Sequence, residues 1–556
     1  MASSPFARYR TFLPDAEWAA FARALERPEP RTFRVRSGRT SLDALLESLR
    51  AQGFALTPLA ELPGVIRVDR EPFPLSETLE HWLGLLYIQQ AATCLPAPVL
   101  APRPGEGVLD LCAAPGGKTS HLADLMEDRG CLVAVDLAER RVQALAGNLS
   151  RLAHASVITV VGDALRLPEV APFHRVLADV PCSGEGRSRR EGPVVASSGD
   201  LRRLPRLQEA LLRKALRLLP PGGRVLYVTC TLAPEENEAV VDRVLRLPEE
   251  GPGGSPPARL VPVRPAVPHA PGLTGFEGER WLPELEGACR IHPHHLDSGG
   301  LFLALLERLE EDGTPAMPST GGTLPAGRLP GWTPPGPVLP GDRDRTPRDK
   351  GEAPAVQVER AAAALRRLWP SRPAGWEPPP GGGAFPEGEA FPEGNAFPGG
   401  SAFPEGDDAP SQGDATPGWL VRGDAVRLHQ FGAWPLDAWE EAGASVRILS
   451  AGLRAWEVER SGKLRPSSDL LRWLGPRAAA QGLNLEDAAW LRLLDGAAFR
   501  PEPEDLPPGA LDGDAFFLLR GGHALATARL RGERVLHELP SSRTQWLRKV
   551  LARSSG

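Results

Sequence analysis

Between Val108 and Cys230 the chain repeats one pattern: a short apolar run ending in an acid or a cysteine, a turn, then an amphipathic stretch. The runs are Val108-Leu109-Asp110-Leu111-Cys112, Cys131 to Asp136, Ala155 to Asp163, His174 to Asp179 and Gly222 to Cys230. Runs this apolar fit strands covered on both faces, and Arg140 to Leu152 and Leu201 to Leu219 carry a helical period between them. Strands alternating with helices predict a doubly wound, mainly parallel α/β sheet, closed by a last strand over Gly300 to Leu306. Ligands of such sheets gather at the carboxyl ends of the strands, where each of these acids and cysteines falls.

The first turn of the series is Cys112-Ala113-Ala114-Pro115-Gly116-Gly117-Lys118-Thr119, leading into a helix. Glycines there let backbone approach a ligand closely, and the helix start presents N–H groups to an anion. The loop is neither G-x-G-x-x-G nor a P-loop. Asp136 ends a strand about 25 residues beyond Asp110, where an acid can accept both hydroxyls of a ribose. Asp163 ends the next strand and suits the exocyclic amine of adenine. Together these describe an adenosine cofactor. NAD would prefer a fuller glycine fingerprint, whereas S-adenosylmethionine needs only a carboxylate site at the loop. Asp110 fits two roles equally, contact with the cofactor or support of the loop by hydrogen bonds.

Composition limits the rest. A chain of 556 residues holds two or three domains, and 59 Gly with 60 Pro imply that a substantial part is unpacked. Net charge is −6, and only five of the 64 basic residues are lysine, so arginine content alone says little about RNA. The six cysteines form no C-x-x-C pair, which indicates no metal site and no disulfide scaffold. No export signal and no apolar run of ~18 residues is visible, so a cytoplasmic protein without a membrane partner is expected.

Four segments follow. Residues 1–80 read as a small α+β lobe, with helices opening at Pro14-Asp15 and at Ser41 and a strand at Thr32 to Arg36. Residues 81–308 hold the α/β repeat. Residues 309–417 are dominated by Pro and Gly, with Phe385, Phe391, Phe397 and Phe403 recurring every six residues, and read as a disordered linker with one candidate helix near Val356 to Leu368. Residues 418–556 regain globular composition as an α+β domain without a catalytic grouping.

Asp179 and Cys182 lie on one strand-to-loop bend, and Cys230 ends the neighbouring strand. Pyrimidine C5 is not nucleophilic until something adds to C6. A thiolate can make that addition, an acid beside N3 can stabilise the charge, and a further group can remove the C5 proton. The residues do not rank the two cysteines, and a Pro-Cys nucleophile, as DNA cytosine methyltransferases use, would be Cys182. Arg187, Arg189 and Arg190, with Arg202, Arg203 and Arg206, form the densest basic cluster nearby and are expected to meet phosphate.

Pro181-Cys182-Ser183-Gly184-Glu185-Gly186, Thr229-Cys230-Thr231 before Glu236-Asn237-Glu238, and Ala114-Pro115-Gly116-Gly117-Lys118-Thr119 resemble the RNA cytosine-5 methyltransferases of the Nop2/Sun family. The resemblance spans roughly residues 5–306 and implies a Rossmann-like class I methyltransferase domain that uses S-adenosylmethionine. It makes Cys230 the nucleophile, Cys182 the cysteine that releases product, and Asp179 a contact to the base. It assigns Cys112 to Lys118, Asp136, Arg141, Asp163 and Asp179 to the cofactor. Within the family the pattern suggests the branch that modifies 16S ribosomal RNA, acting as a monomer, with RNA-binding N-terminal and PUA-like C-terminal domains. The same chemistry on transfer RNA or 23S RNA, an assembly factor whose methylation is incidental, and a small-molecule methyltransferase are the alternatives. The long linker is a departure from the family and loosens the expected tie between catalytic and C-terminal domains.

Overall fold

The computed structural model describes residues 6–310, except 37, 170–172 and 247–256, residue 314, and residues 418–554, except 423–424, 430–445, 459–463, 475–481, 498, 503–504, 507–514, 521–522 and 540. The expected Phe-Pro repeats and the candidate helix at Val356 to Leu368 lie outside the described residues.

The chain opens with α1 (Asp15–Leu25) and with α2 (Leu42–Ala51), which Ser41 caps by accepting the Ala44 N–H. These accompany four antiparallel strands, β1 (Thr32–Val35), β2 (Ala55–Pro58), β3 (Val65–Arg70) and β4 (Leu86–Ile88), in the order β2-β3-β1-β4. Two short helices, α3 (Leu79–Trp82) and α4 (Pro96–Leu100), lead into the main sheet.

There β5 (Gly107–Asp110), β6 (Cys131–Asp136), β7 (Val157–Gly162), β8 (Arg175–Asp179) and β9 (Arg224–Thr229) run parallel in the order β7-β6-β5-β8-β9. The strand Leu301–Arg308 adds antiparallel to β9, as in doubly wound sheets that carry antiparallel strands at an edge. This is a doubly wound, Rossmann-like α/β sheet. Alternation along each strand divides its apolar side chains between two layers. On β9, Val225 and Tyr227 face the layer of α8 (Ser198–Arg217) and α9 (Glu238–Arg246). Leu226 and Val228 face α4, α5 (Gly117–Leu125) and α6 (Glu139–Leu152). α7 (Ser188–Glu191) is a single turn between β8 and α8.

The expected loosening across the linker meets a different arrangement. The strand Val446–Ala451 pairs antiparallel with β7, so residues beyond 417 extend the main sheet. A shared apolar cluster joins Phe33, Leu45 and Trp82 to Trp490, Phe516 and Leu547. Trp82 stacks on Trp546, ring centroids 5.8 Å apart.

One buried ion pair ties α9 to the sheet. Arg290, on the strand Cys289–Ile291, binds Glu238 through both carboxylate oxygens, and the two side chains are 2% and 0% exposed. Removing one partner of such a pair strands the other charge. Arg290→Leu is therefore expected to destabilise the main domain by about 3–5 kcal/mol, read as a lowered urea midpoint of its unfolding.

Candidate active site

The expected site residues converge at the carboxyl edge of the parallel strands. Asp110 ends β5 and is 1% exposed; its Oδ2 accepts the Thr119 hydroxyl at 2.8 Å, and its Oδ1 has no hydrogen-bond partner. Burial pushes its carboxyl up to about 7. Asp110 thus supports the loop through one oxygen and leaves the other available. Gly116 adopts φ +106°, and a Cβ there would meet Leu145 Cδ1 at 2.8 Å, so the bend requires glycine.

At the end of β6, Asp136 accepts the backbone N–H groups of Ala114 and Ala138, each at 3.3 Å. Arg141 reaches Asp136 at 3.2 Å and donates to the Ala114 carbonyl at 2.8 Å, tying the glycine loop to α6. Next to Asp136 stands Leu137, a large apolar side chain 73% exposed, which sequence reading missed. Asp163 accepts the Leu165 N–H at 3.0 Å and stays partly open to solvent.

Lys118 connects this loop to the second half of the site. Its Nζ donates to Asp179 Oδ2 at 2.7 Å, at the end of β8. From there the chain turns through Pro181 into Cys182, whose Sγ lies 3.3 Å from Cys230 Sγ at the end of β9. The Cys230 N–H also points at Cys182 Sγ, 3.3 Å away. The two thiols are not equivalent. Donation of the Cys182 proton lowers Cys230 below its ordinary value; burial and Asp179 oppose this, and Lys118 and Arg187 assist it. That same donation, together with burial, holds Cys182 well above its ordinary value. The surroundings thus favour the thiolate form at Cys230 over Cys182.

Only buried polar partners could hold so tight a bend. Glu236 accepts the Ser183 N–H at 3.0 Å and the Gln208 side-chain amide at 2.8 Å. Gln208 also donates to the Pro181 carbonyl at 2.9 Å. The Gly186 N–H donates to the Cys230 carbonyl at 2.8 Å, and a Cβ on Gly186 would lie 2.4 Å from the Gly300 carbonyl oxygen. The sequence motif shows Glu236 only as part of an acidic run after Cys230 and does not reveal this role. α9 begins at Glu238, and Glu236 precedes it as a fully buried acid.

Residues 97–307 match the family model described as 16S rRNA methyltransferase RsmB/F. The chain is 32% identical over 302 residues to a tRNA (cytosine(49)-C(5))-methyltransferase of Pyrococcus abyssi, covering 53% of this chain and 93% of that protein. The chain belongs to the Nop2/Sun family of RNA cytosine-5 methyltransferases. Its likeness to the RsmF branch shows in a ribosomal RNA small subunit methyltransferase F of Erwinia tasmaniensis, 34% identical over 320 residues, 56% of this chain and 63% of that protein. A human 28S rRNA (cytosine(4447)-C(5))-methyltransferase is 34% identical over 304 residues, 53% of this chain and 36% of that one. The chain thus spans less than two thirds of the length of several relatives it matches.

For a family that handles RNA, the basic cluster beside the bend is the surface to examine, and it corrects one expectation. Arg189 is buried, its side chain 1% exposed, and it donates to the carbonyls of Arg27 (3.1 Å), Pro28 (2.9 Å) and Ser298 (3.3 Å) and to Asp297 (2.8 Å). It braces residues 27–28 against the segment 297–298 and is not free for phosphate. Arg190, Arg202, Arg203 and Arg206 are exposed, and Arg187 is half-exposed beside Glu191 at 3.2 Å. Among the described residues no helix is long and apolar enough to cross a membrane.

Proposed function

We propose that this chain methylates C5 of cytosine in RNA with S-adenosylmethionine, through a covalent bond between Cys230 Sγ and cytosine C6, and that its substrate is 16S ribosomal RNA. The observation that carries the chemistry is the pair of thiols 3.3 Å apart, of which Cys230 is shifted below its ordinary value and Cys182 above.

S-adenosylmethionine fits the residues at the strand ends. Asp136 has lone pairs for the ribose hydroxyls, exposed Leu137 offers an apolar face to adenine, and Asp163 can accept its amine. The loop from Cys112 to Lys118, with Arg141 and the unpartnered Asp110 Oδ1, would hold the charged amino-acid end. When bound, this cofactor supplies the methyl group.

The protein's own residues do the rest. The target cytosine leaves its stack and enters between Asp179 and the thiols. Asp179, positioned by Lys118, takes the N3 and amine edge. The Cys230 thiolate adds to C6, and the electron pair of the C5–C6 double bond makes C5 nucleophilic. After C5 has gained its methyl group, a base takes the C5 proton, and the C5–H electron pair re-forms the C5–C6 double bond as the C6–S bond breaks and the Cys230 thiolate leaves. Cys182, whose Sγ lies 3.3 Å from Cys230 Sγ, is assigned to assist that release. Arg187, Arg190 and the exposed face of α8 would meet the RNA backbone. The architectural roles follow: residues 1–80 as an RNA-binding lobe, 81–308 as the methyltransferase domain, 309–417 as a linker and 418–556 as a PUA-like RNA-binding domain.

Rate should rise with pH as Cys230 ionises, with the inflection below the ordinary thiol range. Lys118→Met removes a cation that favours the thiolate and leaves Asp179, which opposes it, without its partner. The inflection in the pH profile of kcat/KM is expected to move to higher pH, and a downward or absent shift would contradict the assignment.

The small-subunit substrate rests on likeness to RsmF, while the Pyrococcus relative favours transfer RNA as a second reading. Bisulfite sequencing of total RNA with and without the gene decides between them. Loss of 5-methylcytosine confined to 16S RNA supports the first, loss in transfer RNA or 23S RNA supports the alternative, and no loss favours an assembly factor.

A further inference from the structure

His292-Pro293-His294-His295 lies outside the site just described, on the segment joining the strand Cys289–Ile291 to the strand Leu301–Arg308. The Ser298 N–H donates to the Pro293 carbonyl at 3.2 Å and folds this segment back toward α1. There Glu17, in the first turn of α1, faces His294, with Oε2 and Nε2 4.0 Å apart. One ligand-capable atom from each of Glu17, His292, His294 and His295 lies within 4.8 Å of the other three.

Two features set this cluster apart from aromatic packing. His292 is 2% exposed, yet neither of its ring nitrogens has a hydrogen-bond partner, and both nitrogens of His294 are likewise buried and unpartnered. A neutral imidazole always carries one N–H, so burying it without an acceptor is unfavourable unless something else binds the ring. Phe12 and Phe21 pack around His292, with centroids at 6.3 and 6.4 Å, and screen that side.

The ring spacing suits coordination. At the usual zinc–nitrogen distance an imidazole centroid sits about 3.2 Å from the metal, so two rings on a tetrahedral ion lie about 5 Å apart. The observed centroid distances are 5.8 Å for His292 with His294, 5.0 Å for His292 with His295 and 4.4 Å for His294 with His295.

We propose that His292, His294, His295 and Glu17 form a binding site for a zinc-class divalent metal that clasps α1 to the segment entering the strand Leu301–Arg308. His292, His294 and Glu17 are the primary donors. His295 Nδ1 accepts the backbone N–H of His292 at 3.1 Å, and His295 completes a closed set of three nitrogens and one oxygen when that bond is released. Such a set, with no position left for water, belongs to a structural site rather than a hydrolytic one. The clasp would also steady the catalytic bend from behind. Asp297 in the same segment pairs with Arg189 at 2.8 Å, and the Gly300 N–H donates to the Gly186 carbonyl at 3.1 Å.

The test titrates the full-length protein, stripped of metal by chelator, with cobalt(II). One equivalent should bind with the visible absorption of four-coordinate cobalt, without a thiolate charge-transfer band, and zinc should displace it and raise the thermal midpoint. Glu17 is partly exposed on α1, so Glu17→Gln should fold normally and bind at least tenfold more weakly; His294→Gln should remove binding and the zinc-dependent thermal shift. No binding, or binding unchanged in both variants, overturns the proposal. So does a thiolate band that disappears in Cys182→Ala, because the metal would then sit on the catalytic cysteines.

Discussion

Cys230→Ala is expected to lower RNA methylation by at least about 10⁴-fold, the scale on which removal of a covalent nucleophile acts. Cys230 is the thiol shifted downward by its contact with Cys182, and Lys118 and Arg187 act in the same direction. No other group at this edge combines a lowered thiol with a place at the end of β9. The substitution removes only one sulfur from a partly exposed position, and the Cys230 carbonyl that anchors Gly186 is retained. The fold should therefore persist, and initial rates with methyl-labelled cofactor measure the loss. Activity within tenfold of the parent would move the nucleophile to Cys182.

Cys182→Ala should have the opposite signature. Addition to C6 needs Cys230, whereas release needs a group beside both C5 and Cys230 Sγ, and Cys182 is 3.3 Å from that sulfur. Turnover is expected to fall by about 10²–10⁴-fold, the range for loss of an acid–base group, after a burst of one methyl per enzyme. RNA should remain attached through denaturing purification, and sequencing it would name the modified cytosine. In the Cys182→Ala, Cys230→Ala double variant the attachment should vanish. An adduct that survives there would require a different nucleophile.

The parallel core was legible because its signals are local. Each strand is a short apolar run, each ends in the acid or cysteine that the fold places at the ligand edge, and the glycine turn sits where β5 meets α5. The rank of the cysteines was not legible from spacing. It depends on Lys118 reaching across from another strand to Asp179, and on the asymmetric charge around two sulfurs. Arg189 was misjudged because a run of arginines looks alike in sequence whichever way each points. The single turn of α7 sends Arg189 inward to the Arg27 and Pro28 carbonyls, while Arg190 stays outside.

Long-range contacts account for most of the remainder. Val446–Ala451 joins β7 from nearly 300 residues away, a pairing that no periodicity announces. Glu236 and Gln208 are ordinary helix-region residues until the fold buries both against Ser183 and Pro181. The histidine cluster escaped for the same reason, since its fourth member, Glu17, belongs to the first helix of the chain.

The most direct test of cytosine C5 chemistry uses RNA carrying tritium at C5 of cytosine, incubated with the protein and S-adenosylmethionine. One tritium should be released to water for every methyl group gained, only when cofactor is present, and not with Cys230→Ala. Methyl incorporation without tritium release would place the reaction at another atom and contradict the account.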